Sequence, residues 1–146
     1  MTATSLRAQP TYFELLTNIT LPKSQLARLL EGEAPMPPEA HSMKVITQRL
    51  KEVLSLTQDE TARLLGVSRG TVLKVDAPSE DTLDRLYALS VSLDTMRHVL
   101  GDQVVAWFRT PHPALDQASP LGKFRTRYGQ EQVEDLIQGL LDGNFL

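Results

Sequence analysis

Between Thr57 and Val75 the chain reads TQDETARLLGVSRGTVLKV, and its polar residues are spaced for holding a partner rather than reacting with one. Thr57 and Glu60 form a T-x-x-E capping box, in which each residue satisfies a backbone donor of the other and a helix starts at 58. Ala62 is small enough for two helices to cross closely. Gly66 supplies the tight turn, where a positive φ is cheap for glycine. Leu65, Val67, Val72 and Val75 are spaced to fasten two helices, about 58–65 and 68–75, to the one before them. Ser68 is placed to cap the second.

Residues for bond-breaking chemistry are absent or scattered. There is no cysteine, hence no disulfide, thiolate nucleophile or thiolate metal site. His41, His98 and His112 show no metal-ligand spacing. No G-x-S-x-G elbow and no G-x-x-x-x-G-K phosphate loop occurs. The expectation is a protein that is not an enzyme and holds no cofactor and no metal.

The elements that must position this segment read as all-α. With 146 residues, 41% hydrophobic and 23% charged, the chain suits one compact unit or two small modules sharing a core. It contains no apolar run near the ~20 residues that span a bilayer and no secretory signal pattern. With the missing cysteines, that fits a cytoplasmic setting. Residues 1–10 are polar and expected to be mobile. Residues 11–31 hold one or two short helices with Phe13, Leu16, Leu26, Leu29 and Leu30 buried. The prolines of EGEAPMPPEAH, residues 31–41, mark a linker. Val45, Ile46, Leu50, Val53 and Leu54 then recur at helical spacing. Ser79, with Glu80 and Asp81 behind it, opens a long helix that Gly101 ends. A short helix covers Asp102–Arg109, Ser119-Pro120 opens another turn, and a last helix runs from Gln130 to Leu141. Three segments result: 1–42, an N-terminal helical extension with its linker; 43–78, the two-helix motif and the helix before it; and 79–146, a helical C-terminal domain. Charge divides similarly. Residues 43–75 carry six basic and three acidic side chains, residues 76–146 six and eleven. Two surfaces with different partners are implied.

A small residue, a glycine four positions later, and apolar residues one, six and nine beyond it make the helix-turn-helix pattern. Residues 57–75 resemble the motif of the Xre/Cro/repressor family, including Gln58 at the start of its first helix. The resemblance implies that the second helix enters the DNA major groove while the first braces phosphate. Carried over by position, Ser68, Arg69, Thr71 and Lys74 face the groove, Arg69 as the best candidate for bidentate guanine reading. Gln58 meets phosphate. Gly70 departs from the bulkier polar residue often found there. A helix pair that merely packs is the alternative, and the local basic charge speaks against it.

A simple repressor of this kind needs little beyond about residue 90. Here WFRTPHPAL (Trp107–Leu115) is followed by S-P-L at 119–121, Gly129, VEDLI (Val133–Ile137) and Gly143. Residues 43–143 taken together resemble the Xre/MbcA/ParS-type antitoxins, whose partners are RES-domain toxins. Phe108 stands where leucine is common and His112 where asparagine is. The resemblance implies a type II antitoxin that neutralises a RES-domain, NAD-consuming toxin through its C-terminal domain and represses its own operon through the helix-turn-helix. The partners implied are the cognate toxin, operator DNA and a second copy of the chain, with no membrane. Toxin contact then falls to Glu134, Asp135 and Gln138 on the last helix and to Asn144, Phe145 and Leu146 in the tail, which could block the toxin's NAD pocket.

The residues themselves leave more room. Pro111 and Pro113 stiffen the turn, and Trp107, Phe108, Leu115, Leu121 and Phe124 read as core anchors that clamp it to the long helix. The acidic surface with Glu131, Glu134, Asp135 and Asp142 is a solvated face by default, or a complement to a basic partner cleft. Two other readings of the whole chain stay open: a dimeric helix-turn-helix regulator with no toxin partner, and an interaction protein whose motif no longer binds DNA.

Overall fold

The computed structural model describes residues 10–19, 23–33, 42–74 and 77–143. Among these the chain is helical and contains no strand. Helices α1 (Tyr12–Thr17), α2 (Lys23–Leu30), α3 (Met43–Leu54), α4 (Gln58–Leu65), α5 (Glu80–Leu100), α6 (Val104–Arg109), α7 (Pro120–Lys123) and α8 (Arg127–Leu141) follow in that order. Single 3-10 turns lie at 71–73, 101–103 and 113–115. The all-α expectation therefore holds. The expected mobile start, most of the proline linker with His41, Val75, and the tail Asn144–Leu146 lie outside the described residues.

Short side chains set the helix starts. Thr11, Ser42, Thr57, Ser79, Ser119 and Thr126 each sit in extended backbone with the side-chain oxygen accepting a first-turn N–H, as N-caps do. The last helix starts at Arg127, one turn before the expected Gln130. Its Thr126 hydroxyl accepts the Gly129 N–H at 3.0 Å, and a glycine in the first turn conceals that start from a reading of apolar spacing.

The long helix α5 is the hub. It packs against α1, α2, α4, α6 and α8, and Leu83, Leu86, Leu89, Leu93 and Met96 are among its buried residues. A helix touched from several sides needs apolar residues on several faces. One hydrophobic cluster runs from Phe13, Leu16 and Ile19 through Ile46, Leu50 and Leu54 to Phe108, Val133 and Ile137. The segments 1–42, 43–78 and 79–146 thus share a core. Helix α1 sits against both α3 and α5, with Phe13 edge-on to Tyr87 at 5.8 Å. Arg97 fastens it further: it donates to the Pro10 carbonyl and to Asp94, and lies 4.8 Å over the Tyr12 ring. Burial holds the Asp94 carboxyl above its ordinary range, against the opposing Tyr12 N–H and Arg97 charge.

The expected helix over 68–75 is not formed among the described residues. The chain makes one 3-10 turn, Thr71–Leu73, and Lys74 is already extended at φ −73°, ψ 153°. Three causes act together. Gly70 costs ~1 kcal/mol against alanine in a helix, and the β-branched Thr71 and Val72 add to that. A single turn is the unfavourable nucleus of a helix, not its propagating part. The tertiary structure then takes the carbonyls. Val72 O accepts the Thr47 hydroxyl at 2.9 Å, and Lys74 O accepts the Lys44 N–H at 2.9 Å. The segment is tied to α3 while Val72 is fully buried.

Candidate functional site

The first surface is built on α4. Its capping box is complete: Glu60 N donates to the Thr57 hydroxyl at 3.1 Å and Thr57 N to Glu60 Oε1 at 3.0 Å. The Thr57 N–H holds the Glu60 carboxyl below its ordinary range, against partial burial and helped by Arg109. Ala62 is buried. Gly66 closes the helix at φ +68° and gives its N–H to Ala62 and Arg63 carbonyls. Helix α4 and its turn thus match the sequence expectation.

Beyond the turn the candidate residues separate. Ser68 and Thr71 spend their hydroxyls on each other at 2.8 Å, and Ser68 also accepts the Thr71 N–H at 3.2 Å. Ser68 thus makes a local bond like a cap's, but the helix expected behind it does not form among the described residues, and Gly70 stands at the N-cap of the 3-10 turn without a side-chain bond. Gln58 Nε2 reaches the Arg69 carbonyl at 3.5 Å, bracing the loop. Arg69 pairs with Asp59 at 2.7 Å, the two side chains 72% and 56% exposed. A pair that wet contributes ~0–1 kcal/mol, so its guanidinium is readily surrendered to a stronger acceptor. Lys74 is exposed at the far end of the turn. Gln58, Arg69, Ser68 and Thr71 therefore form one cluster, and Lys74 stands beyond it.

The second surface follows α5. Gly101 ends that helix at φ +56° and α6 turns back across it. Phe108 is fully buried, and Leu115, Leu121 and Phe124 are at most 5% exposed. Trp107 packs against the core cluster as expected of an anchor; it is half-buried, edge-on to Phe108 at 5.2 Å with His112 against it at 4.7 Å. The indole is large enough to pack on the turn and still reach water. The turn is stiffer than its prolines alone require. His112 N–H donates to Ala118 O at 3.1 Å and Gln117 N–H to His112 O at 2.9 Å, with Asp116 and Gln117 left-handed at φ +55° and +67°.

This elbow sets α7 and then α8. Val133, Leu136 and Ile137 face the core. Glu131, Glu134, Asp135, Gln138 and Asp142 are exposed, along with Tyr128 at 72% and Leu141 at 45%. Glu134 receives a bond from Gln130 at 3.4 Å, and Gln138 gives one to Asp142 at 3.1 Å. The predicted trio Glu134, Asp135 and Gln138 thus shares one wet acidic face with apolar spots on it.

Sequence reasoning missed the arginines that join these surfaces. Arg109 donates to the Leu54 carbonyl at 3.1 Å and to Glu60 at 3.5 Å. Arg85 donates to the Arg125 carbonyl at 2.9 Å and to Leu64 O at 3.5 Å. Their partners lie 21 to 55 residues away, and no local signal announces such contacts.

Among the described residues no His, Asp or Glu cluster could hold a metal, and no helix is long and apolar enough to cross a membrane. Residues 96–143 match the family model of the antitoxin Xre/MbcA/ParS C-terminal toxin-binding domain. The match begins in the last turn of α5 and covers α6, the elbow, α7 and α8, about a third of the chain. No curated protein matches the chain.

Proposed function

We propose that this chain is the antitoxin of a toxin–antitoxin pair, binding its toxin through the C-terminal domain and its own operator DNA through the helix-turn-helix segment. The observation that carries the reading is the toxin-binding family match over residues 96–143, which is the part of the molecule where α8 presents its acidic, partly apolar face. The toxin we infer is a RES-domain, NAD-consuming protein encoded beside this chain. A site that holds a dinucleotide's phosphates is basic, and Glu134 and Asp135 complement such a surface. Gln138 lies on the same face, and Asn144, Phe145 and Leu146 follow at its end as the segment that blocks the toxin's pocket.

Co-expression with the adjacent gene product, followed by co-purification and measurement of cellular NAD, tests this. The native chain is expected to retain the toxin and preserve NAD. A Glu134→Lys, Asp135→Lys double variant is expected to weaken capture by about tenfold or more, ~1.4 kcal/mol, because like charges then face each other. Capture unchanged by the double reversal would move the contact off α8, and failure of any co-purification would leave the chain without a toxin partner.

DNA binding by the same chain, as a dimer on a two-fold site, is supported by the basic charge of residues 43–75 and the exposed Arg69 and Lys74. With only one turn beyond Gly66, base reading rests on Arg69 more than on a whole helix face. Arg69→Ala is expected to cost ~1–3 kcal/mol of affinity for the chain's own promoter, read by gel shift at fixed salt. Undiminished affinity would place the reading element elsewhere.

A further inference from the structure

A cleft of about 310 Å³ opens where α4 meets the elbow of the C-terminal domain. Its polar lining is Glu60, Arg63, Arg109, Ser119 and Arg125. Three arginines and one glutamate therefore line it. That carboxylate is already committed, with Oε1 on the Thr57 N–H and Oε2 on Arg109. Arg109 is committed too, holding Glu60 and the Leu54 carbonyl. Among the described residues nothing accepts a hydrogen bond from the guanidinium of Arg63 or Arg125. Ser119 spends its oxygen on the Gly122 N–H at 3.1 Å, and its hydroxyl proton has no acceptor there. The cleft thus carries two spare guanidinium groups and a spare hydroxyl donor, beside one carboxylate that is already paired.

The opening is not on the DNA side. At about 100° per residue, Glu60 and Arg63 lie roughly 200° and 140° around α4 from Gln58. A phosphate bound here would therefore not belong to a duplex gripped by Gln58 and Arg69. The cleft is partly enclosed and of a size that suits a small molecule.

We propose that this cleft binds a small phosphate-bearing anion, with Arg63 on α4 and Arg125 after α7 donating to its oxygens and the Ser119 hydroxyl donating from the elbow. Paired guanidinium donors suit a phosphate, whose oxygens can take them in parallel. Bound there, the anion would tie the helix-turn-helix segment to the toxin-binding domain.

Titration of the full chain at low salt with inorganic phosphate and with adenosine monophosphate, followed by amide shifts, tests the site. Saturable shifts confined to α4, Ser119–Arg125 and their neighbours are expected. Arg63→Ala and Arg125→Ala are each expected to weaken binding about tenfold or more, while Arg127→Ala, a charge change on α8 outside the cleft, leaves it alone. Both cleft arginines are exposed, so the thermal midpoint should stay in place. Equal affinity for the two probes would identify free phosphate as sufficient; tighter binding of the nucleotide would identify a phosphate ester. No saturable shift with either probe, or equal binding by all three variants, would overturn the proposal. No toxin or DNA is needed, so a negative result leaves the antitoxin reading untouched.

Discussion

Phe108→Ala is expected to destabilise the chain by about 3–5 kcal/mol, the range for emptying a phenylalanine site in a core. Phe108 is fully buried on α6, edge-on to Trp107 and 6.3 Å from the Phe124 ring. Its side chain is where α6 and the elbow close over the core, so truncation leaves a cavity under both. The neighbours cannot easily collapse into it. The elbow is locked by the His112–Ala118 pairing, and Arg109 pins the end of α6 to Leu54 and Glu60. At ~2–4 °C per kcal/mol for a chain of this size, the thermal midpoint should fall by about 6–20 °C, read by circular dichroism. Phe108→Leu, which keeps much of the volume, should cost well under half as much. Equal losses for the two variants would mean that ring packing, not volume, governs the site.

Gly129→Ala is the second large effect, expected at ~2–3 kcal/mol, the upper part of the usual range for overpacking. Gly129 lies in the first turn of α8 with ordinary helical backbone, where alanine normally helps. Tertiary structure reverses that preference. An added methyl would overlap the Lys123 carbonyl oxygen and stand 3.0 Å from both the Lys123 carbonyl carbon and the Thr126 hydroxyl. Neither carbonyl atom can move without shifting the end of α7, and the Thr126 hydroxyl is the cap of α8. The helix would have to swing away from α7, taking the acidic face with it. Loss of toxin capture together with a midpoint lowered by about 4–12 °C is the expected result. A variant as stable as the native chain would show that the α7–α8 junction yields.

The legible parts of the sequence were those with local causes. The capping box at Thr57, the caps at Ser79 and Ser119, and the stop at Gly101 each act within a few residues. So do the helical spacings of Ile46, Leu50 and Leu54 or Val133, Leu136 and Ile137. Burial of Phe13, Leu16 and Leu29 followed from the same spacing. Where a residue answers to distant partners, the reading failed. Val72 and Lys74 look helical in sequence, yet their carbonyls serve Thr47 and Lys44 on α3. Arg85 and Arg109 look like ordinary charged helix residues, yet they are the ties between the two surfaces.

The sequence alone determined an all-helical chain, the start and stop of most helices, a basic middle followed by an acidic end, and the elbow pattern within the stretch that matches a toxin-binding family. These follow from backbone propensity, side-chain capping and hydrophobic period, all of which act over one or two turns. Only the tertiary structure decided that α1 enters a core shared with both later segments, that the carbonyls of Val72 and Lys74 go to α3 rather than to a second motif helix, and that Gly129 admits no methyl. It also decided that Arg63 and Arg125, distant in sequence, line one cleft. Each of these depends on which groups, distant in sequence, compete for one carbonyl, one volume or one charge, and that competition exists only once the chain is packed.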